Sequence, residues 1–297
     1  MSRIVLLDGG MGQELIRRSS NPPSPLWSAQ VLMDEPDIVE AVHLDYVEAG
    51  AKVLTLNTYS ATPERLARDA SEDLFEPLQA RAIEIAQRVT NGEITIGGCI
   101  PPLFGSYRPE NAPDYQICLE TYRRVVVQQR DAVDVFICET LSSLKEIKAA
   151  VTAAAESGKP VWCGMSVMDE DGTRLRSGEL LADGAQVAKE VGATAVLVNC
   201  SWPEAIGDAM PILAETGLPF GGFANGFTKI DALQIGGTVD GLKPRTDLGP
   251  DQYADHAMGW IDSGASIVGG CCEVGPAHIQ KLAQRLDEAG HQIVGNL

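Results

Sequence analysis

Eight short apolar runs bounded by turn residues punctuate the chain. They are IVLLDGG from Ile4, KVLTLNT from Lys52, ITIGGCI from Ile94 and DVFICET from Asp134, then PVWCGMSV from Pro160, TAVLVNC from Thr194, PFGGFAN from Pro219 and SIVGGCC from Ser266. Most are nearly continuous in hydrophobicity, the pattern of parallel strands buried on both faces. Helical periodicity fills the gaps between them. EPDIVEAVHLDYVEAG puts Pro36 in its first turn, Ile38, Val42, Tyr46 and Ala49 on one stripe, and Gly50 at its end. SSLKEIKAAVTAAAESG offers Ser143 and Glu146 as a capping box and closes at Gly158. A further helix is predicted after Pro276.

One grammar repeats through these units. EAGAKVLTLN, EVGATAVLVNC and DSGASIVGGCC each run from an acid through Gly-Ala into an apolar run, and ESGKPVWCGMSV and ETGLPFGGFAN are variants. The glycine suits the left-handed residue that ends a helix before the chain enters a strand. Eight strand-then-helix units predict a (β/α)₈ barrel, a single domain spanning residues 1–297. A doubly wound open sheet is the competing architecture, but no Gly-x-Gly-x-x-Gly follows any run. In a barrel, Asp8, Asn57, Cys99, Glu139, Ser166, Cys200, Asn225 and Cys271 share the rim at the strand C-termini, where barrel enzymes place their chemistry.

Composition narrows the function classes. A hydrophobic fraction of 44% suffices for a full core, and no run has membrane-spanning length. The opening MSRIVLLDGG is too short and ends wrongly for an export signal, so the seven cysteines are expected in a reducing, cytoplasmic setting rather than in a disulfide framework. A net charge of −18 argues against a nucleic-acid partner.

The thiols carry the sharpest signal. Cys200 stands eight positions after Gly192 and Cys272 eight after Gly264, equivalent levels on strands six and eight. Cys271 and its neighbour project to one side together only if the chain has left the strand, which the preceding Gly269 and Gly270 permit. Three sulfurs would then converge with a fourth position open, the arrangement of a catalytic zinc site. Cys118, Cys138 and Cys163 read as small buried hydrophobes, and Cys99, though on the rim, as structural. Three thiolates make a divalent ion a poor Lewis acid for hydrolysis. They suit it to holding a substrate thiol deprotonated and nucleophilic, so alkyl transfer to sulfur is the natural chemistry.

The stretches LLDGGMGQEL, PLWSAQVL, VHLDYVEAGAKVLTLNTY, CET, LVNCS and GGCCEVGPAHI, spread from residue 6 to residue 279, together resemble the homocysteine S-methyltransferase family. That family includes betaine–homocysteine and S-methylmethionine-dependent enzymes. The resemblance implies a barrel in which Cys200, Cys271 and Cys272 hold Zn²⁺ and the sulfur of homocysteine completes its shell, giving methionine. It also implies that Asp8 and Glu139 hold the amino group of homocysteine, in keeping with an ammonium's need for acceptors. The backbone N–H groups of Gly9, Gly10 and Met11 are expected to cradle its carboxylate.

Donors for such sites are onium compounds (S-methylmethionine, S-adenosylmethionine or betaine-like), which aromatic faces bind. Trp27, Tyr59 and Tyr107 follow strands one, two and three, where a donor pocket would form. After strand seven this chain has FANGFTKI where many relatives carry Pro-Asn-Ser-Gly; Asn225 and Gly226 stay in register, and the segment GGTVDGLKPRTDLG follows. No extra domain of the kind that cobalamin-dependent methionine synthases attach is present, so a corrinoid or folate partner is not expected. His43 and His256 fall within helices and read as packing or surface; His278 is at most a group behind the metal ligands. Two alternatives stand beside this reading. One is a redox or metal-sensing protein using a strained Cys271–Cys272 disulfide. The other is a methyltransferase for another small thiol or selenol.

Overall fold

The structure, a computed structural model, describes residues 2–230 and 232–297. Eight parallel staves run Arg3–Leu6, Val53–Thr55, Thr95–Ile100, Val135–Leu141, Val161–Met165, Ala195–Asn199, Phe220–Phe223 and Ile267–Val268, each hydrogen-bonded to the next. The ring closes where Leu7 bridges Val53 in parallel, so the sheet is a barrel. Helices return the chain between staves. The predicted closing glycines adopt the left-handed conformation: Gly192 at φ 110° and Gly264 at φ 103° precede the two cysteine-bearing strands.

The near-continuous apolar runs divide into two cores. Val5, Leu7, Val53, Val135, Ile137, Trp162, Ala195, Leu197, Phe223 and Ile267 fill the barrel interior. The alternate positions, such as Ile4, Leu6, Phe136 and Val196, pack outward beneath the helices. This alternation aims the functional residues. Glu139 follows Ile137 by two and so faces the interior at the top of the fourth strand.

Three features depart from the eight predicted units. A hairpin, Val167–Met168 paired antiparallel with Asp171–Leu175, follows the fifth strand. A ninth strand, Gln292–Val294, pairs with the lower half of the first strand. The eighth strand stops at Val268, leaving Gly269 to Cys272 in a loop. Among the described residues no helix is long and apolar enough to cross a membrane.

Candidate metal centre and substrate cavity

The eighth strand is short because its chain must turn. Val274 N–H donates to the Cys271 carbonyl at 3.1 Å, closing a tight turn in which Glu273 takes φ 64°, a conformation costly for a side-chain-bearing residue. The turn brings Cys271 and Cys272 off the strand on the same side, as the glycine pair permits. Two glycines of the first loop clear room for it. A Cβ on Gly10 would lie 2.3 Å from the Cys271 carbonyl oxygen, and one on Gly9 would lie 2.2 Å from that of Val274. Gly10 N–H also donates to Val274 O at 2.8 Å, so the loop after strand one and the thiol loop are hydrogen-bonded together.

The three sulfurs converge. Cys200, one residue past the sixth strand at φ 51°, places its Sγ 2.6 Å from that of Cys271 and 3.9 Å from that of Cys272. All three lie within 4.8 Å of one another, the one such cluster of possible ligands among the described residues. The longer separation is what two zinc–sulfur bonds of about 2.3 Å span at a tetrahedral angle. The 2.6 Å separation is shorter than two such bonds span, so Cys200 and Cys271 would part on taking an ion; the chemistry of three soft donors fits a thiophilic divalent ion, with Cys200, Cys271 and Cys272 as its holders. Burial opposes ionising Cys200, but hydrogen bonds from Cys271, Cys272 and Tyr107 hold its thiol well below the ordinary range.

The other cysteines stay outside the trio. Cys118, Cys138 and Cys163 are buried away from the cluster, and Cys99 donates to Glu139 Oε2 at 3.3 Å instead of joining the trio. His278 does not join the cluster either. Its Nδ1 accepts from Gly275 N–H at 3.2 Å and its Nε2 lies 3.3 Å from the Leu248 carbonyl, which makes it a helix-start bonder.

A single cavity joins the cluster to Asp8, Glu139, Trp27, Tyr59 and Tyr107. Asp8 is buried and accepts from Thr55 N–H at 2.8 Å and from Thr55 Oγ1 at 3.1 Å. Desolvation outweighs those bonds and pushes its carboxyl up to about 7; Glu139, desolvated and close to Asp8, is pushed up to about 8. Two carboxyls so raised mark a place where a cation would be welcome.

Two expectations need correcting. Because Gly10 N–H is spent on Val274 O, the three-amide cradle shrinks to Gly9 and Met11. Asn225 does not reach the cavity: its Oδ1 accepts from Phe227 N–H at 3.0 Å, folding its side chain into the turn after strand seven. The segment beyond it does reach the cavity, however. Leu233 to Gly237 line the mouth, with Leu233 O accepting from Arg108 at 3.2 Å. Sequence reasoning also missed Arg65, whose guanidinium stacks 5.3 Å from the Tyr59 centroid while its buried Nε has no hydrogen-bond partner among the described residues.

Residues 5–286 match the sequence profile of homocysteine S-methyltransferase. The chain belongs to that family. It is 30% identical to the homocysteine S-methyltransferase of Escherichia coli (strain K12), with 95% of each chain covered. The crystal structure of the homocysteine methyltransferase MmuM from Escherichia coli, in its metallated form, superposes with a TM-score of 0.79 at 28% identity, covering 95% of this chain and 96% of that one. A selenocysteine Se-methyltransferase of Brassica oleracea var. italica is 26% identical, with 95% of this chain and 88% of that one covered. This methyltransferase thus shares its fold with a relative that has been seen with metal bound.

Proposed function

We infer that this methyltransferase moves a methyl group from an onium donor to the thiol of homocysteine, using zinc held by Cys200, Cys271 and Cys272. The observation that carries this reading is the convergence of those three sulfurs on a cavity that also holds two buried carboxyls. Bound zinc would take the homocysteine sulfur and keep it deprotonated at neutral pH.

The chain's own residues supply orientation. Asp8 and Glu139 receive the substrate ammonium, whose charge offsets the cost of ionising them in a desolvated site. The N–H groups of Gly9 and Met11, at the start of the helix Met11–Arg18, face the substrate carboxylate. Fixing both ends of the amino acid leaves its sulfur one direction in which to point. The sulfur lone pair then attacks the donor methyl carbon. A new carbon–sulfur bond forms, the methyl–onium bond breaks, and its electron pair leaves with the donor as a neutral sulfide or amine. The homocysteine thiol proton has already gone to solvent.

The donor side is aromatic and cationic together. Trp27 meets Tyr59 edge-on at 5.9 Å, and because the Arg65 guanidinium already stands over the Tyr59 ring, Trp27 is the aromatic face left for an onium charge. The Arg65 guanidinium, which lines the same cavity, suits a carboxylate, which S-methylmethionine, S-adenosylmethionine and betaine all carry. A panel of these three donors with homocysteine fixed, read as methionine formed and run beside a metal assay, tests the proposal. Methionine from at least one donor, with zinc near one per chain, is expected. Full activity in protein stripped of metal would overturn the metal's role. Selenocysteine run as a parallel acceptor measures whether the acceptor preference is for homocysteine.

A further inference from the structure

The hydroxyl of Tyr107 lies 2.9 Å from Cys200 Sγ. Sequence reasoning gave this residue a place in the donor pocket, yet its polar end is spent on a sulfur of the metal cluster. Its backbone is held at φ 64°, a left-handed conformation that is costly for a tyrosine and persists only where the surroundings impose it. The Arg176 guanidinium sits 4.8 Å from the Tyr107 ring centroid and also donates to the Cys200 carbonyl at 3.3 Å. Arg176 is itself fixed by Asp169 at 3.0 Å and by Ser166 Oγ at 2.7 Å. One arginine therefore holds both the ring that carries the hydroxyl and the backbone that carries the thiol. The three residues come from different loops: Tyr107 follows strand three, Arg176 closes the hairpin after strand five, and Cys200 follows strand six.

We propose that Tyr107 is a positioning residue of the metal centre, donating its hydroxyl hydrogen to the Cys200 sulfur while Arg176 holds the ring in place. The proposal rests on reading the three cysteines as metal ligands and extends that site to two residues outside it. A thiol that binds a cation has given up its hydrogen, so in the metal-holding state the tyrosine must be the donor. A donor on one of three thiolates withdraws charge from a centre that carries a net negative charge, and it fixes where that sulfur sits. The alternative role, an aromatic face for the onium donor, is weakened by the guanidinium already on the ring, since a second cation there would be repelled.

The test uses Tyr107→Phe, which keeps the ring and removes the hydroxyl, with cobalt(II) as the probe ion. Cobalt is first titrated into the unaltered protein. Absence of a thiolate-to-cobalt charge-transfer band would remove the metal site and this inference with it. With the band present, Tyr107→Phe is expected to move it to longer wavelength, because a sulfur freed of its donor holds its electrons less tightly. It is also expected to weaken cobalt binding about 10–100-fold against a competing chelator. An unchanged band and affinity in Tyr107→Phe would sink the inference while leaving the metal site standing. Loss of an oxygen neighbour from the cobalt X-ray absorption spectrum would also overturn it, by making the hydroxyl a ligand. Arg176→Gln guards against a folding defect at Tyr107. It should shift the band in the same direction and add little in the double variant, whereas fully additive losses would show that Arg176 does not act through Tyr107.

Discussion

At the residue scale, the ammonium-binding role proposed for Asp8 and Glu139 can be tested apart from metal holding. Asp8 and Glu139 sit in the cavity with raised pKa values, near 7 and 8, because burial desolvates them. Their sign is fixed: both are protonated at low pH and accept an ammonium only once ionised. Homocysteine kcat/KM should therefore climb as pH rises through the window from about 7 to 8, and initial rates at subsaturating homocysteine check it; a flat profile there contradicts the assignment. Glu139→Gln should raise KM for homocysteine by about 10–100-fold, the loss of one charge-assisted hydrogen bond, with metal content unchanged. Gly10→Ala should behave in the opposite way. Its Cβ would strike the Cys271 carbonyl at 2.3 Å and displace the thiol loop, so zinc per chain, measured by elemental analysis, should fall. The sequence announced these residues through their chemistry, as a vicinal thiol pair and as acids at strand ends. It could not announce that Gly10 N–H is already engaged, or that Asn225 folds back on Phe227, because both depend on loop paths that no local pattern encodes.

At the element scale, strands and helices were legible because each obeys a short-range rule. Apolar runs buried on two faces marked the staves, and left-handed glycines marked the turns into them. The hairpin at Val167–Leu175 and the strand Gln292–Val294 were not legible. The first carries Asp171, Gly172, Thr173 and Arg174 in place of an apolar run, and the second is stabilised by pairing with Arg3–Val5 at the far end of the chain. The helix Pro36–Glu48 shows where periodicity misplaces a face. Its buried side includes Val39 and His43, and Ile38 is only partly covered. His43 is wholly buried, both ring nitrogens lack partners among the described residues, and desolvation lowers its pKa to about 4. Its unpartnered ring nitrogens cost stability even when neutral, and because its pKa is depressed below the ordinary 6.5, a further pH-dependent loss is absent above that value and grows as pH falls toward 4. His43→Leu should therefore raise thermal stability, by about 1 kcal/mol or a few degrees in Tm at neutral pH, and by more at pH 5. Thermal unfolding at the two pH values decides it, and a lower Tm at both would mean that the imidazole is satisfied.

At the scale of the whole molecule, the barrel brings together what the chain holds apart. Cys200 and the pair Cys271–Cys272 follow strands six and eight, and Asp8 follows strand one, yet all border one cavity. An ion held by the three sulfurs would bridge the ends of two staves, so metal should stabilise the whole fold. Stripping it with a strong chelator should lower Tm by several degrees, and zinc should restore it. Cys200→Ser should start near the lower value and respond little to zinc. The most direct measurement is the X-ray absorption spectrum of zinc in the purified protein, before and after homocysteine is added. Three sulfur neighbours and one lighter atom are predicted at first, becoming four sulfurs at about 2.3 Å once homocysteine is present. Fewer than three sulfur neighbours in the purified protein, or a shell that homocysteine leaves unaltered, would contradict it.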